Sequence, residues 1–241
     1  MGSYNPDDPR AVLSTKGLNT VLFTDPYAKL CYMAELALPS SSSSPSSEKR
    51  MMAAYIDLDT MFSAYFKAGL INGGKEDDAA VDIYLPTEGR FLSMFNRILA
   101  GIQRQQQQQY SLVIVDSINS FYTMYYGLYS SSDGRRERAA GGSLNHLLSV
   151  LLMLLVRRAS SEDVPVVATS MLRYRKEGGW KQSPASRRLL QQKSATRSKV
   201  DLVGNELVLR ILAHENIPEG TVLSYPVRAL ARQAGNQGIA Q

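Results

Sequence analysis

One stretch constrains the whole chain: residues 110–129, YSLVIVDSINSFYTMYYGLY, whose apolar run at 112–115 ends on a single carboxylate, Asp116. The run has no polar face and is mostly β-branched, so it predicts a strand covered on both sides of a sheet. Sheets covered on both faces belong to α/β arrangements, in which ligands gather at the carboxyl ends of parallel strands. Asp116 stands at that end, followed by Ser117 and a polar, tyrosine-rich segment. Two roles fit it there. It can hold Mg²⁺ at a phosphate site, or it can cap the following turn through its own side chain.

The remaining chain supplies the neighbours such a strand needs. Short apolar runs at 20–24, 51–56, 81–85 and 164–169 read as further strands, the last with Pro165 at its start. Helical spacing appears at 27–38, at 60–70 and from Phe91 to Ile102, where Thr87 is the expected N-cap. Ser143 is expected to cap a helix carrying Leu144, Leu147, Leu148, Leu151, Leu152 and Leu155 on one face, after a soft loop at 130–142. Alternation returns at 199–212 around a Gly204–Asn205 turn and again at 221–227, which predicts antiparallel pairing. Serine-rich residues 40–49 form a low-complexity loop. The expected organisation is an irregular lead-in at 1–17, one core domain at 18–228 and a polar tail at 229–241.

At 241 residues a single α/β domain can bury a substantial core, and 44% hydrophobic with 20% charged residues is ordinary for a soluble protein. The single Cys31 excludes an internal disulfide and a cysteine zinc cluster, which makes a reducing compartment the default. Nothing at the start reads as a signal peptide, and the longest nearly apolar run, 147–156, is too short to span a bilayer. A soluble, intracellular protein with no membrane partner is expected. His146 and His214 are expected to be structural, and no metal site is expected from them.

Charge is uneven. The net charge is +5, yet residues 171–199 alone carry nine cations against Glu177, or +8, so the rest of the chain is slightly acidic. Arg173, Arg175, Lys176, Lys181, Arg187, Arg188, Lys193 and Arg197 are interleaved there with Tyr174 and the only tryptophan, Trp180. Cations that neutralise phosphates beside aromatics that stack on bases suit single-stranded nucleic acid. A solvated basic loop is the alternative. Arg135, Arg136 and Arg138 repeat the pattern more weakly. The Gly178–Gly179 pair predicts that 171–199 is a mobile loop.

With these residues laid out, the chain resembles the RecA/RadA recombinase core, nearer its archaeal and eukaryotic branch. AAYIDLDTMF (53–62) is similar to that family's strand and catalytic-glutamate segment, and SLVIVDSINSFYTMYYG (111–127) to its Walker B strand. RERAAGGSLNHLLSVLLMLL (136–155), VPVVATSML (164–172) and LRILAHENIPEGTVLSYPV (209–227) resemble the elements that come after it, in the same order. The departures fall on the nucleotide site. FTDPYAKLC (23–31) stands where the phosphate loop would be, with no glycine, with Pro26 lacking an N–H, and with Asp25 close to any bound phosphate. Lys29 is the vestige of the loop's lysine but no hydroxyl residue follows it, and Asp59 replaces the catalytic glutamate with a side chain one methylene shorter.

The resemblance implies a RecA-like three-layer α/β/α domain with a largely parallel central sheet and a C-terminal antiparallel portion. It implies a pseudo-ATPase with no catalytic residues, in which Asp59, Asp116 and Lys29 are vestigial and neither ATP nor Mg²⁺ is a cofactor. The implied role is an accessory DNA-binding subunit in homologous recombination or DNA repair, partnered by single-stranded DNA and recombinase-family subunits. Its place is the nucleus in a eukaryote and the cytoplasm or nucleoid in a prokaryote. Two other readings stand beside it: a RecA-like scaffold subunit of an Elongator-like tRNA-modification complex, with RNA as the ligand, and a KaiC-like regulatory ATPase.

Overall fold

Strand residues alternate between two cores, and that alternation builds the molecule. In the computed structural model, β1 (Leu18–Phe23), β2 (Met52–Asp57), β4 (Tyr110–Asp116) and β5 (Val166–Lys176) are flanked on both faces by helices. Val21, Phe23, Ala53, Tyr55, Leu112, Ile114 and Val167 point to one core, which α1 (Pro26–Ala37) and α2 (Met61–Lys67) cover. Leu18, Leu22, Ala54, Ile56, Val113, Val115 and Ala168 point to the other. That second core is covered by α3 (Phe91–Gly101), α4 (Ile118–Tyr129), α5 (Gly134–Ser160) and α6 (Arg187–Lys193). The structure describes residues 8–38, 52–71, 81–86, 90–102, 110–129, 134–176 and 179–227, and among these the side chains of all but 126–129 and 134–142.

With β3 (Val81–Tyr84), β7 (Ser194–Val203), β8 (Glu206–Ala213) and β9 (Val222–Pro226), the sheet order is β3-β2-β4-β5-β1-β7-β8-β9. Pairing is parallel from β3 through β7 and antiparallel from β7 through β9. The fold is therefore a three-layer α/β/α domain with a largely parallel sheet and an antiparallel C-terminal portion, as the sequence led one to expect. Gly204 occupies the left-handed region at φ +62°, which a two-residue turn between β7 and β8 requires. No helix among the described residues is long and apolar enough to cross a membrane.

Several expectations need correction. Residues 171–176 and 179–199 form strands and a helix rather than a mobile loop, and Gly178 lies outside the described residues. β5 runs on to Lys176 and folds back on β6 (Trp180–Pro184) as an antiparallel hairpin, and α6 and the start of β7 complete the segment. Leu172, Ala185, Leu189 and Leu190 anchor it in the second core, a stripe that the density of charge obscures in the sequence. Of the loop expected at 130–142, residues 134–142 are helical as part of α5, and 130–133 lie outside the described residues. The N-cap of α3 is Arg90, and the expected cap Thr87 lies outside the described residues. Within the expected lead-in, Pro9–Val12 forms a 3₁₀ turn, Val12 enters the core, and Arg10 donates to the carbonyl oxygen of Leu36 at the end of α1. Residues 229–241 lie outside the described residues.

Candidate functional site

Parallel pairing sets Asp57 opposite Asp116, so β2 and β4 end with two carboxylates side by side on one edge of the sheet. Asp59 lies in the turn into α2, which stacking of Tyr55 on Phe62 holds against the sheet at 4.0 Å between ring centroids. The three carboxylates lie within 4.8 Å of one another. Between them comes Lys29, one turn into α1. Its side chain is 2% exposed, with Nζ 2.5 Å from Asp59 Oδ2 and 2.9 and 3.0 Å from the two oxygens of Asp116. Tyr55 donates to Asp116 Oδ2 at 2.6 Å and Thr169, on β5, donates to Oδ1 at 2.5 Å.

Asp116 thus receives four hydrogen bonds, about the number its carboxylate can accept. It is bound from within. Burial opposes a charge on Lys29, but Asp116 and Asp59 outweigh it and hold the ammonium above its usual pKa. Burial pushes Asp116 up against the pull of Lys29, and raises Tyr55 well above the ordinary phenol value, with Asp116 adding to the effect. Asp57 is raised to about 6, first by burial and then by Asp116 and Asp59, against the hydrogen bond it accepts from the Ser63 N–H at 2.7 Å. Its Oδ1 accepts no hydrogen bond among the described residues.

The segment expected to replace a phosphate loop is shorter still. Only Thr24 and Asp25 join β1 to α1, and Asp25 caps the helix by accepting from the N–H groups of Tyr27 and Ala28 at 3.0 and 3.3 Å, with Pro26 at the first helical position. A helix N-terminus is where phosphate would bind, and here a carboxylate of the chain sits on it. The arrangement does not fit a magnesium–nucleotide: the cation position among the carboxylates holds an ammonium, and the anion position on α1 holds Asp25. Cys31 is buried in α1, and burial raises its thiol to about 11.

The basic segment makes a second, open site. A cleft of about 960 Å³ lies among α4, α5, the hairpin and α6, lined by Arg173, Arg175, Arg187, Arg188 and Lys193 together with Asn119, Tyr122, Asn145 and His146. No carboxylate is among its described lining residues. A smaller cleft of about 320 Å³ shares Arg175 and Arg187 and adds Lys181 and Arg197. Cross-strand register separates the hairpin into two faces. Tyr174 is opposite Gln182 and Lys176 opposite Trp180, while Arg173 and Arg175 are opposite Ser183 and Lys181. Alternation then puts Tyr174, Lys176 and Trp180 on the face turned away from Arg173, Arg175 and Lys181. Tyr174 and Trp180 are 66% and 72% exposed.

So the structure brings together seven of the basic residues singled out in the sequence, and sets the aromatics on the ribbon's other side. Arg135, Arg136 and Arg138 fall on α5, with side chains outside the described residues. His214 accepts the N–H groups of Asn216 and Ile217 at 2.9 and 3.1 Å, a turn-closing role. Sequence reading missed Tyr55, Thr169 and Asn119, which act only once strands distant in sequence are adjacent. Asp57 carried a signal, since it ends a strand just as Asp116 does.

No protein-family model matches this sequence, and no curated protein matches it. Its structure is similar to the crystal structure of the RadB recombinase, at a TM-score of 0.61 and 17% sequence identity over 95% of this chain and 97% of that one. Sheet order and that likeness agree on one conclusion: the chain has a RecA-like α/β fold.

Proposed function

We propose that this protein is a non-hydrolysing RecA-like accessory subunit that binds single-stranded DNA through its basic hairpin and α6. The observation that carries the reading is that the chain's own charges fill the strand-end site, Lys29 among the carboxylates and Asp25 on the helix, while the cations of the hairpin and α6 line an open cleft. DNA is favoured as the polyanion because the structural neighbour is described as a recombinase. The partner subunits proposed for it are of the same fold.

Anisotropy titration of a labelled oligonucleotide across a salt series tests the binding. If about four cations contact phosphates, log K falls with log salt at a slope near −3. Replacing Arg187 and Arg188 by Ala makes that slope shallower by about one to one and a half. Competition with RNA separates the DNA reading from the tRNA one. Phosphate release from ATP stays at background with or without DNA; turnover that Asp116→Ala abolishes would sink the pseudo-ATPase assignment.

A further inference from the structure

The hairpin leaves the sheet at one point, and one side chain holds it there. β4 pairs with β5 only as far as Val115 opposite Ala168, and β1 only as far as Phe23 opposite Met171. Beyond Met171 the strand has β6 as its sole partner in the sheet among the described residues. At that exit Asn119, 6% exposed on the first turn of α4, takes the place of a neighbouring strand. Its Oδ1 accepts the Met171 N–H at 2.8 Å and its Nδ2 donates to the Met171 carbonyl at 3.1 Å. The same Oδ1 accepts from Ser170 Oγ at 3.1 Å, and Ser170 Oγ in turn accepts the N–H of Ala185 at 3.2 Å. Ala185 directly follows β6. One carboxamide therefore gathers both legs of the hairpin, directly on the β5 side and through Ser170 on the β6 side.

The preceding residue, Thr169, is fixed to Asp116, which Lys29 holds. We propose that Asn119 is the positioning residue of the basic hairpin: it locks the root so that Arg173 and Arg175 line the cleft whether or not a nucleotide is present. The consequence for affinity rests on the nucleic-acid reading above; the clamp itself does not. A two-point bond from a buried side chain restrains the ribbon, because breaking it takes both partners from the half-buried Met171 peptide groups.

Trp180 gives the test its readout, since it is the only tryptophan and sits at the far end of the hairpin. Time-resolved anisotropy of Trp180 in the full chain should show mainly the slow decay of overall tumbling. In Asn119→Ala a fast component should appear, a labelled oligothymidylate should bind about tenfold more weakly, and the salt slope should become shallower by about one. Asn119→Asp keeps the acceptor for Met171 and Ser170 but sets an oxygen against the Met171 carbonyl, so it should restore the slow decay only in part. Ser170→Ala, which cuts only the second leg, should be intermediate. Mg-ATP should change none of these readings. Unchanged Trp180 motion in Asn119→Ala overturns the clamp. Should that variant fail to fold by circular dichroism, unchanged motion in Ser170→Ala overturns it, and so does a nucleotide-dependent change in the wild type. A wild type that does not bind the oligonucleotide at low salt sinks the nucleic-acid reading instead, and Trp180 motion still decides the clamp.

Discussion

At the ends of β2 and β4, Lys29 is 2% exposed and touches Asp59 and Asp116, whereas beside the hairpin Arg173, Arg175, Arg188 and Lys193 line a cavity of about 960 Å³ in which no described residue supplies a carboxylate. Both regions lie at or just beyond the carboxyl edge of a parallel sheet, where ligand sites form. They differ in where the compensating charge comes from. In the first, burial makes an unpaired charge intolerable, so the chain provides both signs itself. In the second, solvent screens the cations. The first site is closed by its own side chains, and the second is open.

The contrast breaks most visibly at Lys29. Lys29→Met strands two carboxylates without their counterion and should cost about 3–5 kcal/mol in urea unfolding, while Arg188→Ala should change stability by no more than about 0.5 kcal/mol. Adding Asp116→Asn to Lys29→Met should recover part of the loss. Equal effects of the Lys29 and Arg188 substitutions would erase the distinction between the two regions.

Trp180→Ala sharpens the other side of it. Loss of stacking should weaken oligonucleotide binding by about 1–3 kcal/mol with the salt slope unchanged, because stacking releases no counterions. Since Trp180 lies on the face opposite Arg175 and Lys181, its effect and that of Arg175→Ala should add. A combined loss much smaller than the sum would show that one nucleotide contacts both faces.

Asp57 tests the cost of the closed site. Its carboxyl, raised to about 6 in the folded protein from 3.8, is ionised with difficulty there. The ionised form therefore destabilises the fold above about pH 6, and this penalty vanishes as pH falls below about 4, where folded and unfolded states are both protonated. Asp57→Asn should raise stability by about 1–3 kcal/mol at pH 7.5 and by nothing measurable at pH 4. A gain that is the same at both values would point to packing rather than charge.

Smallest is the helix cap. Asp25→Ala should cost about 1 kcal/mol through the lost bonds to Tyr27 and Ala28. If it also opened the α1 terminus to phosphate, inorganic phosphate would stabilise the variant in thermal melts and not the wild type. No such stabilisation is expected, because Lys29 remains committed to Asp59 and Asp116.

Much of the fold was legible from local pattern. The apolar run at 112–115 announced a strand covered on both faces, and Gly204–Asn205 announced the β7–β8 hairpin, because each depends only on side-chain period or on the backbone freedom of adjacent residues. Asp116, Asp59, Lys29 and the cations of 171–199 could likewise be picked out as residue types in telling places. What they do with one another could not. Lys29 is 30 positions from Asp59 and 87 from Asp116, Thr169 is 53 from Asp116, and Asn119 is 52 from Met171. The sequence by itself determined that carboxylates would end two of the strands and that one segment would be strongly basic. Only the tertiary structure decided that a lysine would neutralise the first, that the second would be a two-faced ribbon, and that a buried asparagine would hold its root. Hydrogen bonds and ion pairs act within a few ångströms, and which groups come that close is set by strand order and packing, not by distance along the chain.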